Sequence, residues 1–288
     1  MKKILITGAH GFIGKHLTKV LTGVYTLYTP TRDEVDFDIE SIVEAYMKNI
    51  KPDIIIHLAA NPLNKPNDQQ INAIIYDNVI GTHNLLYHAP EGCRFIFASS
   101  ICVYGPTPIP PKEDALRRPT SLYGATKSAC EDLINVYTHQ GRIRGVSLRL
   151  CATVGTGLTH GILYDFIRKV KEPGDYLEVF GDEPGSIKPY LYINDAIDAI
   201  LYMIVNPYIT YPVNIVPEGL LSVKDIAEIV LRVNASDKKI KWLGSKSVWR
   251  GDEQLLQANN QLARSLGINF TCSSFLAMSN AIHINSRG

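Results

Sequence analysis

Through its first half the chain alternates short apolar runs with longer stretches in which apolar residues recur every three or four positions. The runs Lys3–Thr7, Val24–Thr29, Asp53–Leu58, Arg94–Ala98 and Gly145–Leu150 predict strands. The stretches Phe12–Leu21, Ile39–Asn49, Asn72–His88 and Leu122–His139 predict helices between them. Strands that are apolar throughout belong to a parallel sheet covered on both faces, since a one-sided sheet would alternate apolar and polar residues. Right-handed crossovers then make the expected fold class α/β, with a doubly wound parallel sheet.

After about Cys151 the rhythm changes. Gly155, Gly157, Gly161, Pro173, Gly174, Gly181, Pro184, Gly185 and Pro189 crowd a short span, with helices expected near Ile162–Lys171, Asn194–Val205, Ser222–Val233 and Asn259–Leu266. A smaller C-terminal lobe over the carboxyl ends of the strands fits this pattern, because ligands bind there in such sheets. Residues 1–150 are therefore read as a dinucleotide-binding Rossmann domain. Residues 151–288 are read as mainly a substrate-binding lobe, with late Rossmann elements interleaved.

Composition removes several function classes. The 29 Lys and Arg residues nearly balance 28 Asp and Glu, and they are scattered along the chain. No basic stripe is available to neutralise a phosphate backbone, so no nucleic-acid partner is expected. The apolar run after Met1-Lys2-Lys3 is too short for a signal peptide, and no stretch is long enough to span a bilayer, so no membrane association and a cytoplasmic location are expected. The five cysteines (93, 102, 130, 151 and 272) form no Cys-x-x-Cys pair, and the eight histidines show no ligand spacing. Reduced thiols and no metal are the expectation.

Two segments carry chemistry. Gly8-Ala9-His10-Gly11-Phe12-Ile13-Gly14 follows the first strand directly and opens a helix. Glycines there let the backbone turn tightly and approach a pyrophosphate, whose charge sits at the helix N-terminus. A plain tight turn is the alternative, made less attractive by its place between the right elements. Farther on, Tyr123 and Lys127 lie four apart on one helix face. A free tyrosine hydroxyl ionises near pH 10, and a lysine ammonium beside it favours the phenolate, as would a cationic nicotinamide. Tyr-x-x-x-Lys occurs by chance on ordinary helices, but here Ser99-Ser100-Ile101-Cys102-Val103-Tyr104-Gly105 stands at the end of the strand Arg94–Ala98.

Thr7 to Gly14 resembles the nucleotide-binding turn of extended short-chain dehydrogenases, the sugar-nucleotide epimerase/dehydratase group. His57-Leu58-Ala59-Ala60, Asn78-Val79-Ile80-Gly81-Thr82, Tyr190-Leu191-Tyr192-Ile193-Asn194-Asp195 and Trp249-Arg250-Gly251-Asp252 are similar to further segments of that group, in the same order. The resemblance implies Ser100, Tyr123 and Lys127 as catalytic residues. It implies a dinucleotide held by Gly8, His10, Gly11, Phe12, Ile13 and Gly14, by Leu58, Ala59, Ala60, Asn78 and Ala98, and by Tyr123 and Lys127 themselves. Asp36 and Phe37 resemble the pair that receives adenine.

NAD and NADP both remain open. Acidic residues at the tip of the second strand favour NAD, whereas this chain has Thr29-Pro30-Thr31-Arg32 there, and Arg32 can meet a 2′-phosphate or simply stand in solvent. The resemblance also implies a nucleoside-diphosphate-sugar substrate contacted by Ser100, Cys102, Lys188 and Arg250, and a homodimer built on the helices Asn72–His88 and Leu122–His139 through Leu85, Leu86, Leu133, Ile134 and Val136. The sequence departs from the family at Ala152, where an Asn commonly bonds the diphosphate, and at Lys188, commonly Arg. Ile101-Cys102 stands where 4,6-dehydratases carry Asp-Glu, which disfavours elimination. Cys102 is either a second acid/base on the sugar or a small space-filling residue. Three functions follow: a 4-epimerase of a nucleoside-diphosphate hexose, an NADPH-dependent 4-keto-sugar reductase, and a non-catalytic dinucleotide sensor. An intact Ser100, Tyr123 and Lys127 argues against the last.

Overall fold

A computed structural model describes residues 1–62, 68–244 and 255–286. In chain order the strands are β1 (Lys3–Thr7), β2 (Thr26–Tyr28), β3 (Ile54–His57), β4 (Cys93–Ser100), β5 (Ile143–Leu150), β6 (Ala152–Val154), β7 (Tyr176–Val179), β8 (Ile187–Lys188), β9 (Tyr190–Tyr192), β10 (Val213–Ile215), β11 (Leu221–Ser222) and β12 (Lys239–Trp242). The helices are α1 (Phe12–Leu21), α2 (Glu40–Ile50), α3 (Asp68–Ile75), α4 (Gly81–Tyr87), α5 (Leu122–His139), α6 (Gly161–Lys171), α7 (Ile193–Val205), α8 (Val223–Val233), α9 (Gln261–Ser265) and α10 (Ser274–Ser286).

Six strands form one parallel sheet in the order β10-β5-β4-β3-β1-β2. Its unbroken apolar runs divide by parity. Ile4, Ile6, Ile54, Ile56 and Ile96 enter a core with Leu17 and Leu21 of α1 and Ala196, Ile200 and Met203 of α7. Leu5, Ile55, Phe95 and Phe97 point the other way, onto Val43 and Met47 of α2, Leu85 and Leu86 of α4, and Ile134 of α5. Alternate side chains reach opposite faces of a strand, so two buried faces require the apolar runs seen in the sequence. The strand order reverses between β1 and β3, which opens a crevice at their carboxyl ends.

A second core gathers Leu163, Phe166, Leu177, Val179, Ile226, Val230, Met278 and Ile282 from α6, β7, α8 and α10. Around it, β6 pairs with β9 and β7 with β12 in parallel, while β8 pairs with β11 antiparallel.

The differences from the sequence reading have physical causes. The predicted helix Asn72–His88 begins at Asp68 and widens into a π turn at Tyr76–Ile80 before α4. The second strand is shorter than Val24–Thr29, because Val24 sits 59% exposed in the preceding turn. α10 escapes an apolar-periodicity search because apolar residues lie on both of its faces: Phe275, Leu276 and Ile284 are exposed, while Ala277, Met278, Ala281 and Ile282 are buried. Ser274 is wholly buried there, donating to the Gly219 carbonyl at 2.7 Å and accepting from the Tyr190 N–H at 3.0 Å. The apolar residues expected at a dimer interface lie mostly in the core. Leu85, Leu86 and Ile134 fill the core on the sheet, and only Val136 is strongly exposed, at 49%. No helix among the described residues is long and apolar enough to cross a membrane.

Candidate active site

The turn after β1 is shaped by what glycine lacks. Gly8 has φ +69°, and a Cβ there would lie 2.7 Å from the Ala59 nitrogen. A Cβ on Gly14 would lie 2.2 Å from the Gly8 carbonyl oxygen and 2.6 Å from the Ala9 Cα. Gly11 caps α1 without any side-chain hydrogen bond, leaving that end of the helix open to an anion. The residues present thus fit a dinucleotide: a cradle closed to any side chain, at the open end of a helix, beside the strand-order reversal.

The adjoining cleft encloses about 540 Å³ between Gly8, Pro30, Arg32, Phe37, Ala59 and Asn61, with His10, Gly11, Asp36 and Ala60 also on its wall. The Phe12 ring meets His16 edge-on, Ile13 packs on the core, and neither is on the wall of the cleft. The exposed His10 ring nitrogen lies 3.2 Å from the Thr29 carbonyl.

Arg32 does not stand free for a 2′-phosphate. Its Nη2 lies 2.8 Å from Asp38 and 3.5 Å from Asp36, and its Nη1 bonds Asp77 at 2.5 Å. Three carboxylates around one guanidinium leave this end of the cleft net negative. The crowding pushes the Asp38 carboxyl up to about 6, through burial first and its hydrogen bond with Asp77 second.

Beneath the cleft runs a hydrogen-bonded chain. The Thr7 hydroxyl and His57 Nδ1 are 2.6 Å apart, His57 Nε2 and the Thr82 hydroxyl are 2.9 Å apart, and Thr82 donates to the Asn78 carbonyl at 2.5 Å. With Thr82 donating onward, the chain is satisfied when Nε2 carries the proton and Thr7 donates to Nδ1. Burial holds His57 neutral, its pKa pulled down to about 3. The Asn78 amide donates to the Asn61 carbonyl and the Thr126 hydroxyl, and accepts from the Asn61 N–H. It therefore positions the wall of the cleft, and its side chain is committed to the protein.

Ser121 caps α5 by accepting from the Gly124 N–H at 3.1 Å. Gly124 lets the helix press on the turn after β4, since a Cβ there would lie 2.6 Å from the Cys102 carbonyl oxygen. Ser100 caps that turn by accepting from the Cys102 N–H at 3.2 Å, which brings the end of β4 against the first turn of α5. Lys127 is 2% exposed, donates to the Ala98 carbonyl at 2.6 Å, and holds Nζ 4.4 Å from the Phe97 ring centroid and 5.6 Å from that of Tyr123. Burial lowers its pKa to about 8, against upward pulls from Cys130 and Glu131.

The sequence reading expected Lys127 to lower the ionisation of Tyr123. The surroundings act in the opposite direction: burial pushes the Tyr123 hydroxyl up, and Cys102 and Cys130 add to the effect. The ammonium is directed at the Ala98 carbonyl, and the burial of the phenol disfavours its charged form.

The remaining substrate residues are spread out. Cys102 is half-buried beside Tyr123, Lys188 lies in β8 by the second core, and Arg250, with the segment Trp249–Asp252, lies outside the described residues. Sequence reasoning missed Glu131 and Arg149, a buried ion pair below Ser99. A Glu four residues beyond Lys127, on the same helix face, was the available signal.

Fold and site together define a dinucleotide-binding α/β protein with a tyrosine–lysine pair at the carboxyl edge of its sheet. The model of the NAD dependent epimerase/dehydratase family matches residues 4–215, and the chain belongs to that family. It is 30% identical to an uncharacterized protein of Methanocaldococcus jannaschii over 233 residues, 69% of this chain and 71% of that one. It is 27% identical to a UDP-N-acetyl-alpha-D-glucosaminuronate decarboxylase of Bacillus cytotoxicus over 270 residues, 83% of this chain and 82% of that one. Among solved structures, a UDP-galactose 4-epimerase superposes with a TM-score of 0.82 at 26% identity, covering 99% of both chains.

Proposed function

We propose that the protein is a 4-epimerase of a nucleoside-diphosphate hexose, using NAD. The observation that carries this reading is that the end of β4 with Ser100 packs on the start of α5 with Tyr123 and Lys127, at the carboxyl edge of the same sheet that bears the glycine turn and a cleft where Arg32 is ringed by carboxylates. The likeness to a 4-epimerase structure over nearly the whole chain supports it.

Bound NAD supplies a reversible acceptor for the hydrogen and electron pair of the sugar carbon. The chain's own residues do the rest. Tyr123 takes the proton of the C4 hydroxyl and returns it after the 4-keto sugar has presented its other face. Ser100, already oriented by the Cys102 N–H, hydrogen-bonds the reacting oxygen. Lys127, cationic below about pH 8, stabilises the tyrosinate. Cys102-Ile101 in place of an acid pair offers no residue for dehydration.

The test is to incubate the purified protein with UDP-glucose or UDP-N-acetylglucosamine and NAD, and to follow the C4 epimer by NMR. Epimer without net oxidation is the expected result. Stoichiometric NADPH consumption with a 4-keto-6-deoxy sugar nucleotide, and no epimer from either substrate, would replace the reading with a reductase.

The carboxylate ring makes a separate prediction about the dinucleotide. A 2′-phosphate must displace Asp38 and Asp77 from Arg32 before it can pair with the guanidinium. Asp77→Asn should therefore raise NADP affinity several-fold while changing NAD affinity little, read by calorimetric titration. Equal changes for both dinucleotides would show that the ring does not select between them.

We also propose a homodimer through the same two helical stretches, keeping Leu133 and Val136 but replacing the core residues Leu85, Leu86 and Ile134 with outward-facing ones. Tyr76, Val79, Ile80, His83 and Tyr87 line the outer face of the π turn and α4, with Tyr76 56% and Tyr87 48% exposed. Leu133 and Val136 continue the surface on α5, which packs beside α4. Light scattering at micromolar concentration should give twice the chain mass, and Val136→Glu should halve it. A monomer mass for the unmodified protein would end this proposal.

A further inference from the structure

One turn beyond Lys127, α5 carries Glu131, a residue 4% exposed and unused by the chemistry above. Tyr123, Lys127 and Glu131 are spaced four apart, so they share one face of the helix. The Glu131 carboxylate accepts from the Ser99 hydroxyl at 2.5 Å, at the end of β4. It also accepts from Arg149 of β5, through Nε at 3.0 and 3.2 Å and through Nη2 at 2.7 Å. The Arg149 Nη1 donates in turn to the Tyr104 hydroxyl at 2.5 Å and the Glu113 carbonyl at 2.8 Å. Arg117 approaches the same carboxylate from the rim at 3.4 Å.

Stability alone is a poor reason for such an arrangement. A buried ion pair often stabilises a fold no better than apolar residues of the same volume would. Its placement is more informative, because it joins the helix that carries Tyr123 and Lys127 to the strand end that carries Ser100. We propose that Glu131 and Arg149 form a positioning pair for this site, which seats Ser99-Ser100 against α5 and sets the charge of Lys127 from one turn away. The inference rests on the role given to Lys127 in the proposed reaction.

The groups around Lys127 fix the expected signs. Tyr123, Cys130 and Glu131 face it from α5, neutral His57 stands near it from β3, and Arg149 of β5 lies on the far side of the carboxylate. Glu131 is the nearby anion that offsets the cost of burying the ammonium. Removing Glu131 alone takes away that offset and leaves Arg149 an unpaired cation, and both changes drive Lys127 to lose its proton at lower pH. Removing Arg149 alone leaves the carboxylate with fewer cations to share, and Lys127 keeps its proton to higher pH. Removing both cancels most of the change. Damage to packing would not produce shifts of opposite sign.

The test uses the full chain with lysine labelled at 13Cε, followed by NMR across pH 6–10, with the Lys127 resonance identified by its absence in Lys127→Met. Glu131→Gln should move the Lys127 midpoint down by about one pH unit, and Arg149→Met should move it up, on the scale of charge interactions in a half-dry site. The double variant should return close to the unmodified protein. Should the single variants not fold, Arg117→Met at the rim removes one cation from the carboxylate and should shift the midpoint upward by a smaller amount. Unchanged midpoints, or shifts of one sign in every variant, would overturn the proposal. The titration needs no substrate. Opposite shifts in a protein that forms no epimer would therefore keep the positioning pair and sink only the epimerase reading.

Discussion

Tyr123→Phe should lower turnover by roughly 10²–10⁴-fold, the range of a general acid/base contribution, while leaving fold and dinucleotide binding intact. The phenyl ring fills the same space, and none of the hydrogen bonds that hold α5 in place depends on the hydroxyl: Ser121 caps the helix, and Gly124 sets its approach to the turn after β4. Lys127 keeps its bond to the Ala98 carbonyl in the variant. Ser100→Ala should cost less than Tyr123→Phe, since it removes an orienting hydrogen bond and leaves the proton carrier. Steady-state kinetics on the two variants, with thermal unfolding and NAD titration alongside, make the check. Near-normal turnover in Tyr123→Phe would mean that another group moves the proton.

Much of the sheet was legible because burial on two faces writes itself into the sequence as unbroken apolar runs. β1, α1 and α5 fall on their predicted bounds, each starting or ending at a glycine turn or a serine cap that the residues announce. The short strands beyond residue 150 were not legible. Val213–Ile215 completes the main sheet with three residues, too few to show a period. α10 was hidden because the exposed Phe275, Leu276 and Ile284 place apolar residues on its outer face as well as on its buried one, which erases the helical period. In the site, the glycine turn and the tyrosine–lysine spacing are local and could be read directly. The carboxylates around Arg32 could not, because Asp77 comes from a π turn 45 residues away. The Glu131–Arg149 pair likewise joins a helix to a strand, and sequence spacing shows only one half of it.

The glycine cradle supports the second large expectation, a test of whether the turn is held by sterics or merely tolerates glycine. Gly14→Ala places a Cβ 2.2 Å from the Gly8 carbonyl oxygen and 2.6 Å from the Ala9 Cα, both backbone atoms that no rotamer change can move. The turn and the first turn of α1 must separate, which for an overpacked site costs about 1–3 kcal/mol. Thermal stability should fall by several degrees, and the N-terminal amides of α1 should lose their aim at the pyrophosphate, lowering NAD affinity at least tenfold. Gly11→Ala is the informative contrast. Its φ of −76° suits alanine, and its Cβ would lie 3.3 Å from the Gly8 carbonyl oxygen, a contact that a few tenths of an ångström relieve. Because Gly11 lines the cleft, that methyl group should intrude on the ligand while leaving the fold nearly as stable. Calorimetric unfolding and NAD titration separate the two outcomes. Gly14→Ala should lose both stability and affinity, and Gly11→Ala mainly affinity. If Gly14→Ala melts and binds like the unmodified protein, the close approach of α1 to the turn after β1 does not shape the dinucleotide site.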